Sequence, residues 1–214
     1  MWTSSSRTEL KDSRKRELLE KGYELLASRG IEPITMQDVA DAVGCGIASV
    51  YRYFDKKPGF VIAVATWKWE QLRDETFSLW SGMDTEKKTA AELFEMHLDV
   101  FLDIYKNRRD LLRFNHFFNG YVMSEKVDPK LLEPYKEVIF SIRDWFHKIY
   151  VKAEEDHTIR TDESEEMIFS KTLHLMLAAV TRYAVGLVYI PETGFDPEGE
   201  LEMLKEMLLD RYLT

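Results

Sequence analysis

Residues 35–57 read TMQDVADAVGCGIASVYRYFDKK, and this stretch decides the fold. Thr35 followed by Asp38 is a capping-box-like start: the hydroxyl can accept from an unpaired N–H of the first turn, and the carboxylate suits the positive helix end. Met36, Val39, Ala40 and Val43 then recur at helical rather than alternating spacing. Ala40 is small where a crossing helix must come close. Gly44 can take the positive φ that ends a helix and opens a tight turn. Cys45, Val50 and Tyr53 fall at inward positions of a second short helix, with Ile47, Ala48, Ser49 and Arg52 outward and Tyr51 flanking. Gly46 caps that helix without a side-chain acceptor.

Two short helices meeting at such a turn predict a helix-turn-helix, in which the start of the second helix contacts base edges and neighbouring groups hold phosphates. Ser49 and Arg52 can hydrogen-bond to bases or backbone. Ile47 and Ala48 offer only apolar contact, for example to a thymine methyl. The flanks fit. Leu18, Leu19, Tyr23, Leu25 and Leu26 give residues 6–29 a helical apolar stripe that Gly30 stops, and Pro58 suits the first turn of a following helix.

The order of these features resembles the TetR family of bacterial transcriptional regulators. The likeness spans roughly the first sixty positions. GIEPITMQDVADAVGCGIASVYRYFDKK follows the family's run of glycine, threonine, an aliphatic-alanine pair, glycine and a Tyr-x-x-Phe-x-x-Lys ending, here Tyr51, Phe54 and Lys57. Gly46 stands where a Ser or Thr commonly opens the recognition helix, and Ala48 replaces a common glycine. The candidate DNA-contacting set is Thr35, Gly46, Ile47, Ala48, Ser49, Tyr51, Arg52, Tyr53, Lys56 and Lys57.

Charge is distributed accordingly. The chain carries a net charge of −9 over 214 residues. Residues 1–60 hold ten Lys/Arg against nine Asp/Glu, whereas residues 61–214 hold nineteen against twenty-nine. The acid therefore lies in the C-terminal part, away from the expected DNA-reading end. A lone cysteine, Cys45, excludes an intrachain disulfide and fits a reducing cytoplasm. As a small hydrophobe it suits the slot of the turn. No signal peptide is legible. His174 and Arg182 interrupt the most apolar stretch, residues 172–190, which argues against a membrane span.

Beyond Pro58 the pattern is helical throughout, with expected segments at 60–80, from Thr85 to Tyr105, 108–123, 129–155, from Thr161–Asp162 to before Pro191, and after Asp196–Pro197. The expected architecture is all-α: a three-helix DNA-binding domain over residues 1–57 and a larger helical bundle over 58–214. A helix apolar nearly all round demands burial on all sides. The last two helices can meet the same pair of a second copy in a two-fold homodimer, which the resemblance also implies. Two recognition helices would then face a pseudo-palindromic duplex DNA operator.

The resemblance further implies an effector pocket for a small molecule. His97, Phe101, Tyr105, His116, Phe117, Tyr121 and Trp145 are its candidate lining, since ligand sites combine an apolar wall with a few polar groups. Core burial is the competing role for each aromatic. Glu154/His157 and Asp144/His147 have the Glu-x-x-His-like spacing of carboxylate metal sites, but di-iron bundles also need two further inward glutamates, and the first pair lies in a charged helix end, EEDH, that reads as solvated. No metal, cofactor or catalytic motif is expected. The leading expectation is a dimeric repressor released from its operator by an effector. A helical enzyme or carrier, with residues 35–57 as mere structure, is the alternative.

Overall fold

The computed structural model describes residues 4–187 and 189–214, with side chains from residue 12 onward; residues 1–3 and Val188, within the apolar stretch, lie outside it. Among the described residues the order is α1 (Ser4–Arg29), α2 (Met36–Val43), α3 (Ile47–Phe54), α4 (Lys57–Ser81), α5 (Ala90–Asn107), α6 (Arg109–Ser124), α7 (Glu133–Asp156), α8 (Glu165–Val185) and α9 (Pro197–Tyr212). Short 3-10 turns at Thr85–Lys87 and Pro129–Leu132 precede α5 and α7. The fold is all-α. Strand-like pairing among these residues is confined to one bridge, Ile159 with Leu213.

Two starts differ from expectation. α5 begins at Ala90, because Thr89 and Glu92 form a full capping box while Thr85 opens only a 3-10 turn. α8 begins at Glu165 behind Ser164, whose side chain accepts from the Met167 N–H, rather than at Thr161–Asp162.

Contacts group the chain into two compact units, residues 1–70 with 114–137 and residues 71–113 with 138–214. The first is built on α1, α2 and α3 around Leu18, Leu26, Val39, Val50 and Phe60. Gly22 is a close-approach point: a Cβ there would stand 2.2 Å from the Phe60 ring, so only glycine lets α1 and α4 meet. Tyr23 packs edge-on to Phe114, centroids 5.4 Å apart.

The second unit packs α5, α8 and α9 together, with Phe94, Leu98, Phe146, Ile168, Met176 and Leu208 buried. Lys205 of α9 is buried too, its charge answered by Asp99 at 2.5 Å and Glu95 at 3.1 Å on α5. α8 is not apolar-buried all round in the single chain: Leu175 is 50% exposed, and Met167 and Val185 are exposed with it.

Candidate nucleic-acid interface

The helix pair forms as its sequence dictates. The Thr35 hydroxyl accepts from the Asp38 N–H at 3.1 Å, and the Asp38 carboxylate accepts from the Thr35 N–H at 2.7 Å. The Thr35 hydroxyl also donates to the Asp38 carboxylate at 2.5 Å, and with the Thr35 N–H it holds the Asp38 carboxyl below its ordinary range. Gly44 closes α2 in the left-handed region (φ 68°, ψ 37°), and its N–H reaches the Ala40 and Asp41 carbonyls. The Cys45 N–H adds a bond to Ala40 O at 2.9 Å. Cys45 itself is half-buried in the turn.

α3 then has two faces. Val50 and Phe54 are buried, Phe54 lying edge-on to Phe60 with centroids 5.0 Å apart. Tyr53, expected inward, is only half-buried, because the inward step from Val50 is four residues and falls on Phe54. Opposite, Ile47 is 36% and Tyr51 46% exposed, with Ala48 and Arg52 also exposed and Ser49 half-buried. The Arg52 guanidinium lies 5.6 Å from the Tyr53 ring centroid. Gly46 caps the helix without a side-chain bond. The first turn of α3 is thus a free, nearly uncharged surface of small and apolar groups, with Arg52 and Tyr51 beside it.

The junction after α3 is unusual. Asp55 has φ 54° and ψ −61°, and the Lys56 N–H bonds back to Phe54 O at 2.5 Å, a three-residue turn of positive φ. Lys56 is exposed. Lys57 is half-buried, and its Nζ donates to Glu32 O at 2.9 Å. Thr35 is exposed, though its hydroxyl is engaged in the cap.

The candidate effector residues are dispersed. In the second unit, His97 and Phe101 are buried beside Phe146 and Phe169. His97 Nε2 has no partner, and burial pushes its imidazole down to about 4. Tyr105, also buried, faces Tyr183. Trp145 lies apart, in a cleft of about 570 Å³ lined by Phe77, Trp80, Asp74, Asp144 and Lys148 among others. Trp80 and Trp145 stack at 4.4 Å, and Trp145 Nε1 is buried without an acceptor. In the first unit, His116 and Phe117 are exposed and Tyr121 is buried; all three line a separate cleft with Arg29 and Pro33. Phe77 and Trp80 were not singled out from sequence, since nothing in linear spacing brings α4 onto α7.

Residues 18–64 match the model of the bacterial regulatory proteins of the tetR family. No curated protein matches the chain. Among solved structures, a proposed transcriptional regulator from Saccharomonospora viridis, in complex with choline, aligns with TM-score 0.74 and 15% identity, over 95% of this chain and 99% of that one. A TetR transcription regulator from Haloarcula marismortui aligns with TM-score 0.72 and 17% identity, over 95% and 100%. The ketosteroid transcriptional regulator KstR2 of Mycobacterium tuberculosis gives TM-score 0.61 and 15% identity, over 94% and 95%. At such identities the shared property is the fold, over 94–95% of this chain.

Proposed function

The chain carries the amino-terminal domain of the TetR family of bacterial regulatory proteins, and on that premise we propose that it is a sequence-specific repressor released from its operator by a small molecule. Residues 1–57 read DNA, and residues 58–214 bind the effector and a second copy. The observation that carries this reading is the divided face of α3: Val50 and Phe54 anchor it, while Ile47 and Ala48 are exposed in its first turn, where helix-turn-helix proteins meet base edges, and Tyr51 and Arg52 are exposed further along the same helix. Ile47 and Ala48 favour thymine methyls, and Arg52 a guanine edge or a phosphate.

The second copy docks on α8 and α9. Their exposed apolar residues, Met167, Leu175 and Val185 on α8 and Met203 and Met207 on α9, supply the centre of a two-fold pairing.

The cleft beside Trp145 is the effector site. Its volume suits a small ligand. The rings of Phe77, Trp80 and Trp145 beside the Asp144 carboxylate can take an organic cation in place of Lys148, whose Nζ lies 5.5 Å from the Trp145 ring centroid, while Asp74 is already paired with Arg73; the Saccharomonospora viridis regulator was crystallised with choline. DNA and effector then oppose each other through two conformations of the dimer, each ligand weakening the other by the same factor.

Selection from a random duplex pool tests the reading. One pseudo-palindromic sequence should be enriched, and Arg52→Ala should relax the choice at one position of each half-site, by about 1–3 kcal/mol. Failure to enrich any sequence would return the chain to the alternative of a helical carrier. Choline should quench tryptophan emission in the parent but not in Trp145→Phe; an unchanged parent spectrum removes the organic-cation assignment.

A further inference from the structure

Lys57 closes the Tyr-x-x-Phe-x-x-Lys run and belongs to the set read from sequence as DNA contacts, yet it is half-buried and its ammonium is held by groups of its own chain. Its Nζ donates to the main-chain carbonyl of Glu32 at 2.9 Å and lies 5.8 Å from the centroid of the Tyr121 ring. These three groups come from the start of α4, the loop between α1 and α2, and α6, all within the first compact unit. Glu32 lies in a short loop whose neighbours Ile31 and Ile34 are 2% and 3% exposed, directly ahead of the Thr35 cap. That loop sets where α2 starts, and α2 packs on both α1 and α3.

An ammonium at the first residue of a helix stands at the positive end of its dipole and gains nothing from that helix. Here the Glu32 carbonyl and the Tyr121 ring face compensate, the second as a cation–π contact. Burial draws the group below the usual lysine range, and the negative potential of Glu125, Glu32 and Asp38 opposes it in part. A solvent-facing phosphate ligand has no need of such a setting.

We propose that Lys57 is a positioning residue: it fastens the loop of residues 31–34 to α4 and α6, so that α2 and then α3 are held in register, and it touches no phosphate. This rests on the DNA-binding reading for its consequence, but the fastening itself is independent of DNA. Lys56, exposed one residue earlier, is left as the phosphate-facing lysine of the pair.

The test compares Lys57→Met, Lys57→Arg and Lys56→Met in the full chain. Amide hydrogen exchange without DNA should quicken roughly tenfold or more over residues 31–38 in Lys57→Met, as local opening of that loop becomes easier. Lys57→Arg, which keeps charge and donor, should restore most of the protection. Binding to a random-sequence duplex across a salt series provides the second reading. The slope of log K against log salt should stay unchanged in Lys57→Met and fall by about 1 in Lys56→Met. Unaltered exchange in Lys57→Met would overturn the proposal, and so would a slope lowered by about 1 in that variant. If the parent shows no salt-dependent DNA binding, the regulator reading fails while the exchange arm still decides whether Lys57 fastens the loop.

Discussion

Single side chains in this protein separate into those that hold the fold and those left over for other work, and burial alone does not tell which. His97 is 3% exposed with Nε2 unpartnered, its ring edge-on to Phe101 and Phe146. Burial lowers its pKa from 6.5 to about 4. Above pH 6.5 the imidazole is neutral in both folded and unfolded chains, and it leaves stability unchanged. As pH falls below that value the unfolded chain takes up a proton that the fold refuses, so stability declines until pH reaches about 4. The full loss is about 3 kcal/mol. His97→Leu is expected to flatten the dependence of denaturant stability on pH across this window. A slope as steep as the parent's would mean that other groups carry the acid sensitivity.

Among the elements, the helix pair was the most legible. Thr35, Asp38, Gly44 and the apolar positions of α2 are local signals, and each acts within its own turn. The same logic explains the misplaced start of α5: Thr85 and Thr89 both offer a cap, and only Thr89 has a glutamate three residues on to complete the box. The junction between α3 and α4 had no such signal, because nothing in Phe54–Asp55–Lys56 specifies a positive φ. Asp55 at φ 54° is strained, which glycine would relieve. Asp55→Gly should therefore raise stability by about 1 kcal/mol, after allowing for glycine's greater unfolded freedom. A thermal midpoint below the parent's would show that the Asp55 side chain contributes more than its backbone costs. The aromatic candidates fared differently from the helix pair. Their aromatic character grouped Phe101, Tyr105 and Trp145 into one candidate lining, but which helices meet is a long-range fact, so residues read as one lining fall in separate places.

At the scale of the molecule, an all-α chain with a DNA-reading end was legible because capping, turn and charge asymmetry agree with one another. The apolar demand of α8 is met only in part within one chain, where Leu175 is 50% and Met207 of α9 is 59% exposed. A second copy supplies the missing cover in our account. Sedimentation should give twice the 25.2 kDa chain mass for the parent and a single-chain mass for Leu175→Arg, with helical content retained. A parent that sediments as one chain would remove the dimer, and with it the paired recognition helices.

The proposed function depends most directly on entry of the first turn of α3 into the duplex. Ala48 is exposed there and its methyl carries no hydrogen-bonding group, and a carboxylate at that position suits the helix dipole, so Ala48→Glu should leave the thermal midpoint unchanged or slightly raised. The same carboxylate would face DNA phosphates. We predict that the affinity of Ala48→Glu for duplex DNA, measured at one fixed low salt concentration, falls at least about tenfold. Binding equal to the parent's by an equally stable Ala48→Glu protein would contradict the account.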